Sequence, residues 1–198
     1  IFISTEVTMH KNCFTEESAS RQKQLENQLL KNMLLKPYDH VSVSDLCEQC
    51  GISRKSFYRY FGNKDGCLSA LIDRALMEST EYRFRPNHRD CPPPVEIQSN
   101  LTYWKENRTI LDVLAQNGLS GIFVERAIAH AVQEEKALLR AIGVEDPQQD
   151  QDVLVFFFSG YVSLLMHWRK TGYQKTVAQM TDLLIRLITQ PLLQAGEA

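Results

Sequence analysis

The sequence predicts an all-α fold of about nine helices, on three grounds. Apolar residues recur at helical spacing in the long segments, capping residues and glycines separate those segments, and no strand-like alternation is present. Hydrophobic residues make up 43% and charged residues 23% of the 198 residues, which is typical of a folded globular protein. A chain of this length holds one large domain or two small ones.

The first helix is predicted over about residues 16–36, where Leu25, Leu29 and Met33 lie four residues apart on one apolar face. Pro37 ends it, because proline donates no N–H and disfavours helical geometry in the residue before it. Residues 1–15 have no such periodicity and are predicted to be a flexible arm.

Two short helices are predicted next, over about residues 43–49 and 54–61. Ser42 and Ser53 precede them, and a serine hydroxyl can accept an unpaired N–H of the first helical turn. Gly51 supplies the left-handed conformation that ends the first of the two. Two short helices joined by a glycine-containing turn are typical of a helix-turn-helix.

A fourth helix begins after Asn63, which is a suitable N-cap, and extends to about residue 83. The proline-rich segment 86–94 is predicted to be non-helical and marks a boundary or a long loop. Further helices are predicted over about residues 95–107, 109–117, 120–142, 149–171 and 176–193, with Gly118, Gly143 and Gly172 at helix ends.

The charge is unevenly distributed although the net charge is −2. Residues 21–64 contain eight Lys and Arg against four Asp and Glu, a local charge of +4, whereas residues 87–198 carry ten against thirteen, or −3. A basic N-terminal third on an acidic body is expected when one end of a protein meets phosphate.

The segment 38–68 resembles the DNA-binding domain of the TetR family of bacterial transcription regulators. The matching features are Ser42, Asp45-Leu46, Gly51-Ile52-Ser53, the run from Phe57-Tyr58 to Phe61, and Asn63-Lys64. The resemblance spans about residues 21–76. It implies a helix-turn-helix DNA-binding domain over residues 16–64 and a ligand-sensing and dimerisation domain over residues 65–198.

An α-helix fits the major groove of DNA, so the helix over residues 54–61 is the predicted recognition helix. Arg54 or Lys55 could pair with guanine, and Ser56 could reach a base edge. The resemblance implies phosphate contacts by Tyr58, Tyr60 and Lys64. The full predicted set is Ser42, Ser44, Arg54, Lys55, Ser56, Tyr58, Arg59, Tyr60 and Lys64. For Arg59, a purely solubilising role remains open.

Five cysteines are present, and an odd count argues against a disulfide framework. Cys47 and Cys50 lie three residues apart, but the sequence has no second pair and only His40 nearby to complete a zinc site. We expect small core residues at these positions, with thiol or metal sensing as the alternative. No metal and no cofactor are predicted.

The segment 160–172 resembles the penultimate helix of TetR-type proteins, especially the branch of the dihydroxyacetone-kinase regulator. The resemblance implies a dimer interface formed by the last two helices. The predicted interface residues are Ser159, Gly160, Ser163, Leu164, Trp168, Leu184, Leu187 and Ile188. The predicted lining of an effector pocket is Tyr103, Trp104, Phe123, Phe157 and Tyr161, for an apolar or aromatic small molecule.

The predicted function is that of a dimeric repressor that binds a palindromic DNA operator and is released by a small-molecule effector. The alternative is a TetR-like coactivator or sensor that acts mainly through a protein partner or metabolite. No catalytic motif is recognisable, so no enzyme activity is expected. The most apolar run, residues 153–166, is too short to span a membrane, and a cytoplasmic location is predicted.

Overall fold

The computed structural model describes residues 15–83, 92–134 and 151–190. Within these ranges the chain forms nine α-helices, one 3-10 turn (Tyr38–His40) and no strand, which confirms the all-α prediction. In chain order the helices are α1 (Glu16–Leu35), α2 (Val43–Cys50), α3 (Arg54–Phe61), α4 (Lys64–Arg83), α5 (Pro93–Glu106), α6 (Arg108–Gln116), α7 (Ser120–Glu134), α8 (Gln151–Lys170) and α9 (Val177–Thr189). The arm predicted over residues 1–15 lies outside the described residues except for Thr15, as do Cys13, Cys91 and Gly143.

The chain divides into two compact units, residues 1–74 and 75–198, so that the division falls within α4. No helix in the described part of the chain is both long and apolar enough to cross a membrane.

The helix ends of the first unit follow the predicted caps. The hydroxyls of Ser42 and Ser53 accept the backbone N–H groups of Asp45 and Ser56, at 3.0 and 3.2 Å. Asn63 Oδ1 accepts the N–H of Gly66 at 2.7 Å and caps α4 in the same way. Such a cap contributes about 1 kcal/mol to helix stability, so three successive caps fix where these short helices begin.

The prediction that residues 86–94 are non-helical is wrong at its end, because α5 begins at Pro93. Pro93 and Pro94 occupy the first turn of α5. The N–H groups of a first turn have no partner within the helix, so proline loses nothing there, and its fixed φ already suits a helix. Residues 84–91 of the segment lie outside the described residues.

In the first unit, α1 packs on α2, and α2 packs on α3. Leu25, Leu29 and Met33 are buried as predicted, whereas Leu34 beside them is 52% exposed. The buried carboxylate of Glu26 on α1 pairs with Arg74 on α4, whose Nε lies 2.5 Å from Glu26 Oε2. Removing one partner of such a pair would leave a buried charge unsatisfied, so this pair fixes α1 against α4.

In the second unit, α8 packs on α7 and α6, and α9 packs on α5. Trp168 near the end of α8 is 1% exposed. Its indole Nε1 donates to the carbonyl of Lys175 at 3.0 Å, and its ring meets the ring of Tyr173 edge-on, with centroids 5.0 Å apart. The indole therefore holds the loop between α8 and α9 against α8.

Substituting Trp168→Ala is expected to lower the free energy of unfolding by about 3–5 kcal/mol, because it removes a buried aromatic side chain and leaves a cavity. Urea titration followed by circular dichroism measures this. Met77→Ala is the control, since Met77 is 54% exposed, and it should change stability by less than about 0.5 kcal/mol. A loss below about 1 kcal/mol for Trp168→Ala would show that the indole is not a core residue.

Candidate nucleic-acid interface

A tight turn over residues 51–53 joins α2 to α3 and determines which side of α3 is exposed. Gly51 has φ of +63°, a left-handed conformation that side chains resist, and its N–H donates to Glu48 O at 3.1 Å. Ile52 next to it is buried, together with Leu46 of α2 and Phe57 of α3. The turn therefore directs one side of α3 into the core of the first unit and leaves the other side exposed on its surface.

The two sides of α3 have opposite character. Phe57 and Phe61 are buried, with ring centroids 5.2 Å apart. The exposed residues of α3 are Arg54, Lys55, Tyr58 and Arg59. Positions i, i+1, i+4 and i+5 share one helix face, so three cations and a phenol form a continuous surface. We call this set of four residues the α3 cationic face.

Within this face, neighbouring side chains orient one another. A side-chain hydrogen bond with the phenol of Tyr58 raises the pKa of the Arg54 guanidinium, which is charged at neutral pH in any case. Arg59 Nη2 donates to Tyr60 Oη at 3.3 Å, and its guanidinium lies 5.1 Å from the centroid of the Tyr60 ring. Tyr60 itself is only 8% exposed, so little of it is accessible for the phosphate contact predicted for it.

Lys64 is positioned differently from the other predicted contacts. Its Nζ donates to the carbonyls of Tyr38 at 2.9 Å and Val41 at 3.1 Å, and it lies 4.1 Å from the centroid of the Tyr38 ring. These interactions satisfy the ammonium within the first unit. The phosphate contact predicted for Lys64 would require it to leave them.

The predicted serine contacts are at the edge of this surface. Ser42 and Ser44 are exposed, and Ser56 is half-buried with its N–H on the Ser53 cap. Beside Ser42, Lys36 Nζ lies 2.9 Å from Asp45 Oδ2, and this hydrogen bond holds the pKa of Asp45 below its usual range. The sequence did not predict this ion pair, because Lys36 follows the end of α1 and Asp45 lies nine residues later on α2.

The three cysteines of the first unit that the structure describes are free thiols. Cys47 and Cys67 are buried and Cys50 is half-buried, and burial raises the pKa of all three thiols. Among the described residues, no group of three His, Cys, Asp or Glu side chains is placed to hold a metal ion. The geometry therefore favours small core residues over a sensing role for these cysteines.

A raised pKa lowers the fraction of reactive thiolate at neutral pH, so these thiols should react slowly. In a Cys13→Ser, Cys91→Ser variant, iodoacetamide at pH 7 should alkylate Cys47 and Cys67 about 100-fold more slowly in the native than in the urea-unfolded protein. Mass spectrometry of a time course measures the rates. Equal rates in the two states would reverse the assignment and favour a thiol sensor.

The second unit contains a cavity of about 70 Å³ between α4, α5, α7, α8 and α9. Trp104, Phe123, Phe157 and Tyr161 line it, which are four of the five residues predicted for an effector pocket. The fifth, Tyr103, is buried elsewhere: it packs against Tyr82 and donates to Glu78 at 3.3 Å. Adjacent residues on a helix point about 100° apart, and in α5 it is Trp104 that faces the cavity, whereas Tyr103 faces Tyr82 and Glu78.

Several polar side chains of this cavity were not predicted. Thr80 and His130 line it and hydrogen bond to each other at 3.1 Å. Glu96 and Asn100 line it from α5, and the hydroxyl of Tyr161 donates to Asn100 Oδ1. The four-residue spacing of Glu96, Asn100 and Trp104 places them on one face of α5 and is the sequence feature that identifies them.

The residues predicted for a dimer interface separate into two groups. Trp168 and Leu184 are buried within the unit, and Leu184 and Ile188 line the cavity. Those with exposed or half-buried side chains are Ser159, Gly160, Ser163, Leu164, Leu187 and Ile188. Phe156, which the prediction omitted, is 81% exposed and lies one helical turn before Gly160 on α8. Val153 and Val155 nearby are 39% and 41% exposed, and apolar side chains exposed together in this way are typical of an interaction surface.

Comparison with known proteins supports the resemblance in the N-terminal region. Residues 32–71 match the family model described as bacterial regulatory proteins, tetR family. No curated protein matches the sequence. This matched segment contains α2, the turn and all of the α3 cationic face.

Two solved structures have a similar fold. A tetR-family transcriptional regulator from Streptomyces coelicolor is 20% identical, with a TM-score of 0.57 over 86% of this chain and 79% of that one. The TetR family repressor AlkX from Dietzia sp. strain DQ12-45-1b, implicated in biodegradation of n-alkanes, is 14% identical, with a TM-score of 0.55 over 84% and 92% of the two chains. Neither comparison tests the similarity of residues 160–172 to the dihydroxyacetone-kinase regulator. Residues 32–71 are thus part of a TetR-type N-terminal domain, carried by a chain with the all-α fold of TetR-family transcription regulators.

Proposed function

We propose that this protein is a dimeric DNA-binding transcription regulator whose DNA affinity changes when a small molecule occupies the cavity of the second unit. The observation that carries the proposal is the α3 cationic face, which a capped turn and two buried phenylalanines hold on the surface of the first unit. Its place within the segment that matches the TetR family model supports the same function.

The chemistry of the α3 cationic face suits the major groove. Arg54 and Lys55 stand at the first two positions of α3, where a recognition helix meets base edges. An arginine fork pairs with O6 and N7 of guanine, and the ammonium of Lys55 can do the same or bind a phosphate. Tyr58 and Arg59 lie one turn further along, within reach of the flanking phosphates, which position the helix without reading sequence.

A single helix of eight residues makes too few contacts for a specific site, so we propose a two-fold dimer. Phe156, Gly160 and Ser163 lie on one exposed face of α8, and Leu187 of α9 is 39% exposed. A large apolar side chain beside small residues allows a second copy of the helix to approach closely. A dimer would present two copies of α3 about one DNA turn, roughly 34–36 Å, apart.

The response to a ligand is proposed to act through α4. This continuous helix contributes Arg74 to the pair with Glu26 and contributes Leu76, Ser79 and Thr80 to the lining of the cavity. A ligand that fits the cavity better in one position of α4 shifts the population toward that position. We propose that this shift moves the two copies of α3 out of register with the operator, which makes the protein a repressor that the ligand releases.

The test is a selection of duplexes from a random library, followed by fluorescence anisotropy across a salt series. A palindromic site should emerge, and log affinity should fall linearly with log salt, by about 0.9 for each phosphate contacted. Lys170→Ala is the matched control, because it removes an exposed cation from the second unit and should leave the slope unchanged. Failure to enrich any sequence, or affinity independent of salt, would reject the proposed function.

A further inference from the structure

The described part of the cavity wall contains one acidic residue and no Lys or Arg. Glu96, in the first turn of α5, lines the cavity and is half-buried. Among the described residues that form the wall, none is Lys or Arg, and His130 is the one other ionisable side chain besides Tyr161. A ligand carboxylate bound here would meet neither Lys nor Arg among these residues and would share the site with Glu96, and both conditions disfavour a buried anion.

The apolar part of the wall is rich in aromatic rings. Trp104 and Phe123 meet edge-on with centroids 5.3 Å apart, and Phe157 and Tyr161 line the same space from α8. The faces of aromatic rings carry negative charge density and attract organic cations. Aromatic rings combined with a carboxylate thus favour a positively charged ligand over a negatively charged one.

The volume of the cavity limits the size of the ligand. At about 70 Å³ it is roughly half the volume of an apolar cavity known to take up benzene, about 150 Å³. A molecule with one ring therefore fits only if side chains move, and Phe157 is half-buried and at the wall.

We infer that the effector is a small hydrophobic amine, with an apolar group of about one ring and an ammonium that pairs with Glu96. This inference rests on the proposed function, since it names the ligand class of the cavity through which that function is regulated. The ammonium gains a charge-assisted hydrogen bond, whereas the ring displaces water from the aromatic wall.

The experiment uses three probes that share one ring and differ in the polar group: 2-phenylethylamine, 2-phenylethanol and phenylacetate. Affinity for the full-length protein is measured by calorimetry at neutral pH, and DNA affinity of each ligand complex by anisotropy. Glu96→Gln removes the charge without changing the size, and Glu125→Gln is the control because Glu125 is exposed on α7 and does not line the cavity.

The amine should bind at least about tenfold more tightly than the alcohol, and phenylacetate more weakly than either. Glu96→Gln should remove this advantage of the amine and leave the alcohol within about threefold, whereas Glu125→Gln should behave as the parent. Equal or tighter binding of phenylacetate, an unchanged amine-to-alcohol ratio in Glu96→Gln, or no binding of any probe would overturn the inference. Amine binding without any DNA binding would instead contradict the proposed function and leave the ligand class standing.

Discussion

Replacing Arg54 with alanine is expected to weaken binding to the selected duplex by at least about 30-fold. A good arginine–guanine pair contributes about 1–3 kcal/mol of discrimination, and a two-fold dimer loses it twice. The side chain is exposed, and α3 is held by Phe57 and Phe61, so the substitution should leave the fold intact. Loss of binding without loss of stability is therefore the expected pattern.

Fluorescence anisotropy at fixed salt measures this effect, with thermal unfolding as the check on stability. Arg54→Lys is informative because it keeps the charge but loses the planar fork, so it should relax base preference while the salt dependence stays nearly constant. Lys170→Ala should bind as the parent protein does. If Arg54→Ala also binds within about twofold of the parent, α3 is not the recognition helix.

Replacing Phe156 with aspartate is expected to convert the dimer to a monomer at micromolar concentration. The substitution puts a charge at the centre of the proposed interface, where it would be buried against its own copy in the partner. Phe156 is 81% exposed in the single chain, so the change should not disturb the core. Affinity for the palindrome should fall by about 100-fold or more, because each monomer then holds one half-site alone.

Sedimentation equilibrium of the parent and the variant measures the state of assembly. Gly160→Arg should have the same effect, since a Cβ at this position meets no atom within 4 Å in the single chain and the residue is exposed. Ile122→Asp is the matched control, an exposed apolar residue on α7. A parent protein that sediments as a monomer, or a Phe156→Asp variant that remains a dimer, would refute the proposed interface.

The sequence predicted the N-terminal helices well because their limits depend on neighbouring residues. Ser42, Ser53 and Asn63 each accept a backbone N–H three residues ahead, and Gly51 adopts the left-handed conformation at its own position. None of these interactions needs a distant part of the chain. The caps and the glycine therefore predicted where α3 begins. The four-residue spacing of Phe57 and Phe61 predicted that both lie on one face of this helix.

Interactions between helices were not predictable in this way. Nothing near Lys64 in sequence indicates that its ammonium binds the carbonyls of Tyr38 and Val41, more than 20 residues earlier. Similarly, α8 is apolar on several sides, so the spacing of its apolar residues does not predict which side packs against α6 and α7. Trp168 proved to be core and Phe156 exposed, although both are large aromatic residues of the same helix.

The cavity shows the same limit. Choosing its lining by aromatic type included Tyr103, which points away, and omitted Glu96 and His130, which face the cavity. Residue type indicates which side chains could bind a ligand. The rotation of each helix about its axis determines which of them line the cavity. Only the packing of α5 against α9, and of α7 against α8, fixes that rotation.

The most direct test of the account is guanine methylation interference on the selected duplex, which reports contacts to N7 in the major groove. We expect two patches of interference on one face of the duplex, about one helical turn apart, and loss of both patches with Arg54→Ala. A single patch, or interference that is identical for the parent and Arg54→Ala, would contradict it.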